Sequence, residues 1–547
     1  MPSEPGTPGR RFWAAWWPSG PPAPPLAPVR SSDPEPALAG ASLPSGTVAF
    51  VALALFFSGF ASMGMEMVWF RFLSSCLGSY RAVFSLMLTI VLIGIWLGSL
   101  AGGYSVRRWG KPVERYMLVQ AVFIVVTPLL LIAFDGPAAE AYLMKRILPL
   151  AAHEELPLLT QVWGVARPIL MVIGLPSFLV GFSFPLANAF VQRLEHRVGR
   201  RAGGLYLANT LGAVFGSLAA GFVMLPGLGS QRSVLYLCFA SGLAIVSLQA
   251  ARQREPAGAR RLALHGPFAL YLLSAGAILV GWSRLPAQYF MMKGFPRLAP
   301  DIRVLAAAEG LNESLMVIED PAGGRFLLTN GHSMSGTAPR LQRYMRAFVH
   351  IPLLQMDSPR SVLVICFGVG NTLHAASLHP TIRRIDTVDL SEQIFAHARF
   401  FREGNGNVLA DDRVAVYVND GRLHLQMVPP ASYDLITLEP PPITFAGTTS
   451  LYSREFYRLA RSRLKDGGFM TQWLPLYQVS QEVGLSMVRA FLEVFPDAVL
   501  LSGMQKELIL MGRASTTAVI DPDRLSLRLA GAPRVRSDLE RMKKLLA

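Results

Sequence analysis

Val362-Leu-Val-Ile-Cys-Phe-Gly-Val-Gly-Asn-Thr-Leu373 is the stretch on which the fold turns. An unbroken apolar run, as in a strand buried on both faces, gives way to two glycines and then to a helix beginning near Thr372. Glycines at that point let the backbone approach a ligand at the carboxyl end of the strand, where open α/β sheets bind. Leu373 stands where a dinucleotide fingerprint has its third glycine, which disfavours NAD and FAD.

Working outward, strands are expected at 385–388, 414–418, 435–438 and 469–473, with helical stretches between most of them, so the sheet is mostly parallel. Residues 499–502 and 508–511 close it as a hairpin. Upstream, 315–318 and 325–329 flank Asp320-Pro-Ala-Gly-Gly324 as another hairpin, and a helix follows at about 341–354. Three successive strand ends carry ligand-type residues. Gly368, Gly370 and Asn371 follow the first, Asp389 the second where a carboxylate can accept ribose hydroxyls, and Asp420 and Gly421 the third where an adenine amino group would lie. One such acid alone is more often a helix cap; the three features together indicate a nucleoside site.

The whole chain is 52% hydrophobic and 16% charged over 547 residues, too apolar for an ordinary soluble protein and too long for one domain. Charge is sparse from about Gly46 to Trp282 and frequent from Arg284 onward. Apolar stretches of membrane length lie near 48–70, 83–104, 117–134, 168–191, 205–225, 234–250 and 268–282, about seven spans. The expected layout is a disordered Pro-rich tail at 1–45, a transmembrane helical domain at 46–284, a linker with a small β/helical substrate-side region at 285–358, a nucleoside-donor domain at 359–513 and a basic tail at 514–547.

The formal net charge of +15 does not imply a nucleic-acid partner, because many arginines sit beside apolar spans, where lipid and topology account for them. Arg107, Arg108, Lys111 and Arg115 follow the second span, Arg193, Arg197, Arg200 and Arg201 the fourth, and Arg252, Arg254, Arg260 and Arg261 the sixth. The positive-inside rule makes all three loops cytoplasmic. A seventh full crossing would then put the C-terminal domain outside. The nucleoside cosubstrate argues instead for a cytoplasmic catalytic domain on a multi-pass protein of the inner (cell) membrane.

Small residues spaced for close helix packing occur from Gly94 to Gly102 and again from Gly212 to Gly221, and the shared Gly-Ser-Leu-Ala suggests an internal duplication of the kind found in transporters. Glu66, with Arg71 as a partner, and Asn209 beside Thr210 are polar groups at membrane depth, serving interhelical hydrogen bonds or a substrate path. Cys76, Cys238 and Cys366 lie far apart without metal-site or redox spacing and read as core-filling thiols, so no metal is expected.

The 362–373 stretch, then Val388-Asp-Leu390, Asp412-Arg-Val414, Asn419-Asp-Gly421, Tyr433-Asp-Leu-Ile-Thr-Leu-Glu439, Tyr452-Ser-Arg-Glu-Phe-Tyr457 and Leu464-Lys-Asp-Gly-Gly468 resemble, in order, the spermidine synthase series over about 309–513. With its apolar half, the chain is similar to bacterial proteins that fuse a multi-span membrane region to a spermidine synthase-like domain. The resemblance implies a Rossmann-like fold of the class I methyltransferase and spermidine synthase type, with a small N-terminal β region. It further implies S-adenosylmethionine or its decarboxylated form as cosubstrate, with Asp389 on the ribose, Asp420 on the adenine, Glu439 as base and Tyr344 at the acceptor. The partners are then the small-molecule donor, an amine-type acceptor and the lipid bilayer, with homo-oligomerisation open.

Departures from the family pattern bear on the substrate. Val369 stands where the family holds the donor's amine with an aspartate, and Pro440-Pro441-Pro442 replaces a segment supplying a second aspartate. Arg340 and Arg346 flank Tyr344, and cations there would repel a polyamine. The leading expectation is a membrane-bound aminopropyltransferase. An S-adenosylmethionine-dependent methyltransferase, and a transporter or sensor with a non-catalytic binding domain, are the alternatives.

Overall fold

In hydrocarbon every backbone polar group has to be satisfied within its own segment, and the apolar half meets that requirement as helix. Helices α1 (Ser45–Leu77), α2 (Arg81–Trp109) and α3 (Pro112–Ala133) come first. Helix α4 (Leu158–Ile169) passes through a π-turn, Leu170–Gly174, into α5 (Leu175–Leu194). Likewise α6 (Val198–Ala219) continues through Ala220–Met224 into α7 (Leu225–Gln253), and α8 (His265–Ser283) ends the half. The computed structural model describes residues 45–546 except 79–80, 144–156, 195–197, 255–264, 287, 296–300, 312, 442, 444–446, 477–478, 505–506 and 515–519. The tail expected over 1–45 therefore lies, but for Ser45, outside the described residues.

Among the described residues five helices are long and apolar enough to cross a membrane, and the shorter Tyr271–Ser283 is apolar as well. The fifth and sixth expected stretches share one 53-residue run, Arg201–Gln253. At ~1.5 Å per residue it would be about 80 Å long if straight, against a hydrocarbon core of about 30 Å. It doubles back at Gly229, whose backbone is non-helical (φ 77°, ψ 165°). Gly59 and Gly64 of α1 meet Asn209 and Gly216 in the same order along α6, whereas Phe50 and Gly64 meet Arg254 and Leu237 of α7 in the opposite order.

The glycine stretches are crossing points. A Cβ on Gly98 would fall on the Phe178 carbonyl of α5, and one on Gly212 would fall on the Phe56 carbonyl of α1. The two similar segments thus serve equivalent crossings, α2 on α5 and α6 on α1. Between them Gln120 Nε2 donates to Ser58 Oγ at 2.9 Å and to Ser183 Oγ at 3.1 Å in a buried polar centre. Asn209 lies where α6 crosses α1, and Glu66 is half-buried on α1. Arg71 bonds away from Glu66: its guanidinium donates to the carbonyls of Gly310 and Leu311, at 2.9 and 2.7 Å.

Those two carbonyls belong to the C-terminal half. There β1 (Arg303–Glu309), β2 (Ser314–Glu319), β3 (Arg325–Thr329) and β4 (His332–Gly336) form an antiparallel sheet in sequential order. β1 and β4 extend the expected hairpin on either side. Helix α9 (Pro339–Leu354) leads to a seven-stranded sheet. Its strands are β5 (Ser361–Ile365), β6 (Arg384–Asp389), β7 (Val414–Val418), β8 (Tyr433–Leu438), β9 (Leu464–Pro475), β10 (Val499–Met504) and β11 (Glu507–Arg513). They lie in the order β10-β11-β9-β8-β5-β6-β7, parallel from β9 to β7 with an antiparallel hairpin at the other edge, as the sequence pattern indicates. The strand order reverses beside β5, the switch point at which such sheets bind ligands.

Residues expected as a basic tail are instead two helices, α11 and α12, over Pro522–Ala530 and Pro533–Leu546, with α10 being Asn371–Ser377. The carboxylate of Asp521 caps α11 by accepting from the backbone N–H groups of Asp523 and Arg524. Val535 and Ala532 pack on Leu354 of α9. Asp538 of α12 accepts from Arg346 at 2.8 Å. Alternating charge in this segment concealed an amphipathic face.

Candidate active site

β5 ends at Ile365, and the chain then takes left-handed backbone at Cys366 (φ 69°), Gly368 (φ 57°) and Gly370 (φ 87°) before α10 begins. Glycine supplies that conformation without a Cβ penalty; at Cys366 the turn imposes it, a strain typical of ligand-binding loops. Cys366 lines the cleft and is thus more than a core-filling thiol, in contrast to the buried Cys76 and Cys238. Burial, with Asp389, Glu439 and Asp420 nearby, pushes its thiol pKa well up. Gly421 is required for another reason: a Cβ there would collide with Ile365 Cγ2. Asn371 is buried and donates to the Gly336 carbonyl at 2.9 Å, tying the turn to the small sheet.

Asp389 at the end of β6 is held by backbone donors from Phe367, Ser391 and Leu390. Phe367 N–H reaches Oδ2 at 2.9 Å and Ser391 N–H reaches Oδ1 at 3.1 Å. A carboxylate has about four acceptor positions, so room remains for a ribose hydroxyl. Burial raises its pKa to about 6, outweighing those hydrogen bonds, and the neighbouring Glu313 adds to the rise. Asp420 does act as a helix cap, accepting from Leu423 N–H at 2.8 Å through Oδ1. The residue is thus a helix cap that also lines the cleft.

Glu439 directly follows β8, and Tyr344 of α9 donates its hydroxyl to Oε1. The two expected catalytic residues are therefore in contact. Burial pushes the Glu439 carboxyl up to about 8 against the effect of that hydrogen bond, and Glu507 adds like charge. Two further acids of the cleft escaped the sequence reading. Glu507 opens β11 and accepts from Trp473 Nε1 at 2.6 Å. Glu313 precedes β2, is buried, and accepts from the Ser391 hydroxyl. Glu313 sits beside the hairpin already recognised, and no motif marks either one.

The cleft has a volume of about 410 Å³. Glu313, Asp389, Asp420, Glu439 and Glu507 line it, and among the described residues none that lines it is Lys, Arg or His. The expected repulsion by cations beside Tyr344 does not arise. Residues two apart on a helix point about 200° apart. Arg346 accordingly turns away, fully buried, and donates to Asp538, Gln342 and the Gly404 carbonyl. Arg340 is exposed outside the cleft. Val369 is buried in a separate apolar cluster with Leu315 and Phe401. Pro440 and Pro441 form part of the cleft wall. Glu66 and Asn209 lie in the helical half, away from it.

Residues 341–501 match the model of the spermine/spermidine synthase domain. The polyamine aminopropyltransferase of Streptococcus uberis is 29% identical over 206 residues, 36% of this chain and 71% of that protein. The polyamine aminopropyltransferase of Mycobacterium tuberculosis H37Rv is 29% identical over 365 residues, 63% of this chain and 66% of the relative. That alignment is longer than the C-terminal half and so reaches into the apolar helices. Among solved structures, the spermidine synthase from Thermotoga maritima aligns with 20% identity over 41% of this chain and 75% of its own, with a TM-score of 0.35. The C-terminal half of the chain is a transferase domain of the spermine/spermidine synthase type.

Proposed function

We propose that the chain is a multi-pass protein of the cell membrane that transfers an aminopropyl group from decarboxylated S-adenosylmethionine to an amine. The observation that carries this reading is the cleft with five carboxylates and, among the described residues, no basic side chain, in a protein whose formal net charge is +15. A sulfonium, a donor ammonium and an acceptor ammonium are all cations, and each gains from that field. S-adenosylmethionine itself would bring a further carboxylate among these acids, which disfavours the methyltransferase alternative. Apolar side chains such as Trp96, Phe222 and Leu273, each more than half exposed on the outer helix faces, support insertion in lipid.

In this reading Asp389 accepts the ribose hydroxyls, Asp420 accepts the adenine amino group, and the Gly368–Gly370 turn lets the donor lie against the backbone. The acceptor nitrogen uses its lone pair to form a bond to the methylene carbon beside sulfur, in line with the breaking C–S bond. The C–S electron pair leaves with sulfur as a neutral thioether. Glu439 takes the proton lost by the nitrogen, Tyr344 orients it, and Glu507 gives the acceptor end a second anion.

The test uses the purified full chain, each of the two donors and a panel of di- and triamines, with nucleoside thioether and amine products identified by mass spectrometry. Product is expected with the decarboxylated donor, and Glu439→Gln is expected to lower kcat by about 10²–10⁴-fold. Product only with S-adenosylmethionine, or undiminished activity in Glu439→Gln, would overturn the assignment.

A further inference from the structure

We propose that the carboxylate-lined cleft opens on the non-cytoplasmic side of the membrane. The inference rests on the reading that the apolar helices cross a bilayer, and it concerns which face the transferase domain occupies.

The helical half has two chemically distinct ends. At one end lie the start of α1, the end of α2, the start of α3, the start of α6 and the end of α7. Contacts gather them: Arg252 of α7 pairs with Glu114 of α3 at 3.4 Å, and the Arg254 guanidinium lies 4.5 Å from the ring of Phe50 in α1. Arg107, Arg108, Lys111, Arg115 and Arg201 belong to the same end, and Arg260 and Arg261 fall in the connection that follows α7.

The transferase domain is fixed to the opposite end. Arg71, near the end of α1, holds the carbonyls of Gly310 and Leu311, and Arg81, opening α2, donates to Thr449 beside the cleft. Ser230, directly after the reversal at Gly229, donates its N–H to Glu309 of β1 at 2.9 Å. Trp282 at the end of α8 donates to the Gln231 carbonyl at 2.7 Å, and Lys293 beyond it donates to the Phe134 carbonyl after α3 at 3.1 Å. With the reversal at Gly229, the chain makes an odd number of passes between the arginine-rich end and the transferase domain.

Cations at the docking end do not restore the balance. They are fewer and dispersed: Arg71, Arg81, Arg167, Arg232, Arg284 and Lys293 among the described residues, with Lys145 and Arg146 in the sequence between α3 and α4, against twelve in the three clusters. Short loops rich in arginine stay in the cytoplasm, so the end that carries the three clusters is cytoplasmic and the cleft lies across the membrane from it. The donor then has to arrive from outside the cytoplasm, and a step that exports an adenosyl sulfonium must precede this reaction.

Single cysteines report the two ends. Gly199 is exposed, with open space where a Cβ would stand, and Leu527 is exposed on α11. Gly199→Cys and Leu527→Cys in the full chain are treated with a membrane-impermeant maleimide in intact spheroplasts and after permeabilisation, against the parent chain as blank. Leu527→Cys is expected to label equally in both conditions, and Gly199→Cys to rise several-fold on permeabilisation. The reverse pattern, labelling of both only after permeabilisation, or labelling of both in intact cells, overturns the proposal. Phosphatase and green fluorescent reporters fused after Ala547 provide a second readout, in which only an active phosphatase agrees with it. Alkaline carbonate extraction tests membrane insertion itself, and transferase activity in detergent tests the chemistry, so failure of either is distinguished from failure of the sidedness.

Discussion

Removing the Tyr344 hydroxyl should move the pH dependence of the reaction upward by an amount the geometry sets. Glu439 has a carboxyl pKa of about 8, raised by burial and by Glu507, and Tyr344 opposes the rise by donating to it. The charged form is the base. Between pH 6 and pH 8 its population grows from about 1% to about half, so kcat/KM for the wild-type chain should climb about 50-fold from this group alone. A hydrogen bond to a charged group is worth about 1.5–3 kcal/mol. At about 1.4 kcal/mol per pH unit, Tyr344→Phe should push the limb up by roughly 1–2 units.

Formation of the nucleoside thioether, followed by chromatography from pH 5.5 to 10 in wild type, Tyr344→Phe and Glu439→Gln, measures this. The acceptor's own titration is common to all three and cancels in their ratios. Tyr344→Phe should lose roughly 10–100-fold at pH 7 and recover most of it at pH 10. Glu439→Gln should be slow throughout, with its limb gone. A wild-type limb near pH 4.5, or a Tyr344→Phe deficit constant across the range, would refute the pairing of this tyrosine with a raised base.

Glu507→Gln removes the like charge beside Glu439, so the Glu439 limb should shift to lower pH while KM for the acceptor rises; steady-state kinetics at several pH values separate the two. Asp538→Ala leaves Arg346 buried without its anion and should cost about 3–5 kcal/mol in denaturant unfolding, with Arg340→Ala as a near-neutral control. Burial alone would raise the Asp538 pKa, but His350 and Arg346 hold it near 2, below the unfolded value of 3.8. Its share of stability is therefore present above pH 3.8 and lost as pH falls toward 2, a dependence that Asp538→Ala should remove. Arg71→Met frees the turn that precedes Glu313 and should raise KM for the donor by roughly 2–30-fold with kcat little changed, the range of a 0.5–2 kcal/mol coupling.

What the sequence made legible were the features that local rules govern. The run from Val362 to Leu373 announces a buried strand, a glycine turn and a helix because backbone conformation leaves few other residues at those positions. Glu439 and Tyr344 are 95 residues apart and meet because α9 packs across the sheet, a tertiary fact that only resemblance could anticipate. Glu313 and Glu507 had no such guide: each lies at the start of a strand outside the parallel core, Glu313 just before β2 and Glu507 opening β11, and carries no spacing signature. Arg346 was legible in principle, since two residues along a helix change its face, and helical phase separates it from Tyr344. The doubling back at Gly229 depends on one residue's dihedral angles, and the glycines of Pro226-Gly-Leu-Gly229 permit the turn without specifying its direction.

The sign of the cleft resolves the apparent conflict between a basic chain and a cationic substrate. Arginine is used here at helix ends and in contacts between the two halves, while the charged side chains that line the cleft among the described residues are all carboxylates. Burial holds two of those carboxylates, Asp389 and Glu439, near or above neutrality, so the empty cleft is only partly charged at pH 7. A cationic ligand that draws these protons off gains an ion pair and releases protons as it binds. Amine affinity should therefore strengthen as pH rises from 6 to 8, with a proton release that calorimetry in buffers of different ionisation enthalpy can count. A neutral or anionic ligand would show neither effect. The chemistry of the occupant can thus be read from the cleft's own titration, before the acceptor is identified.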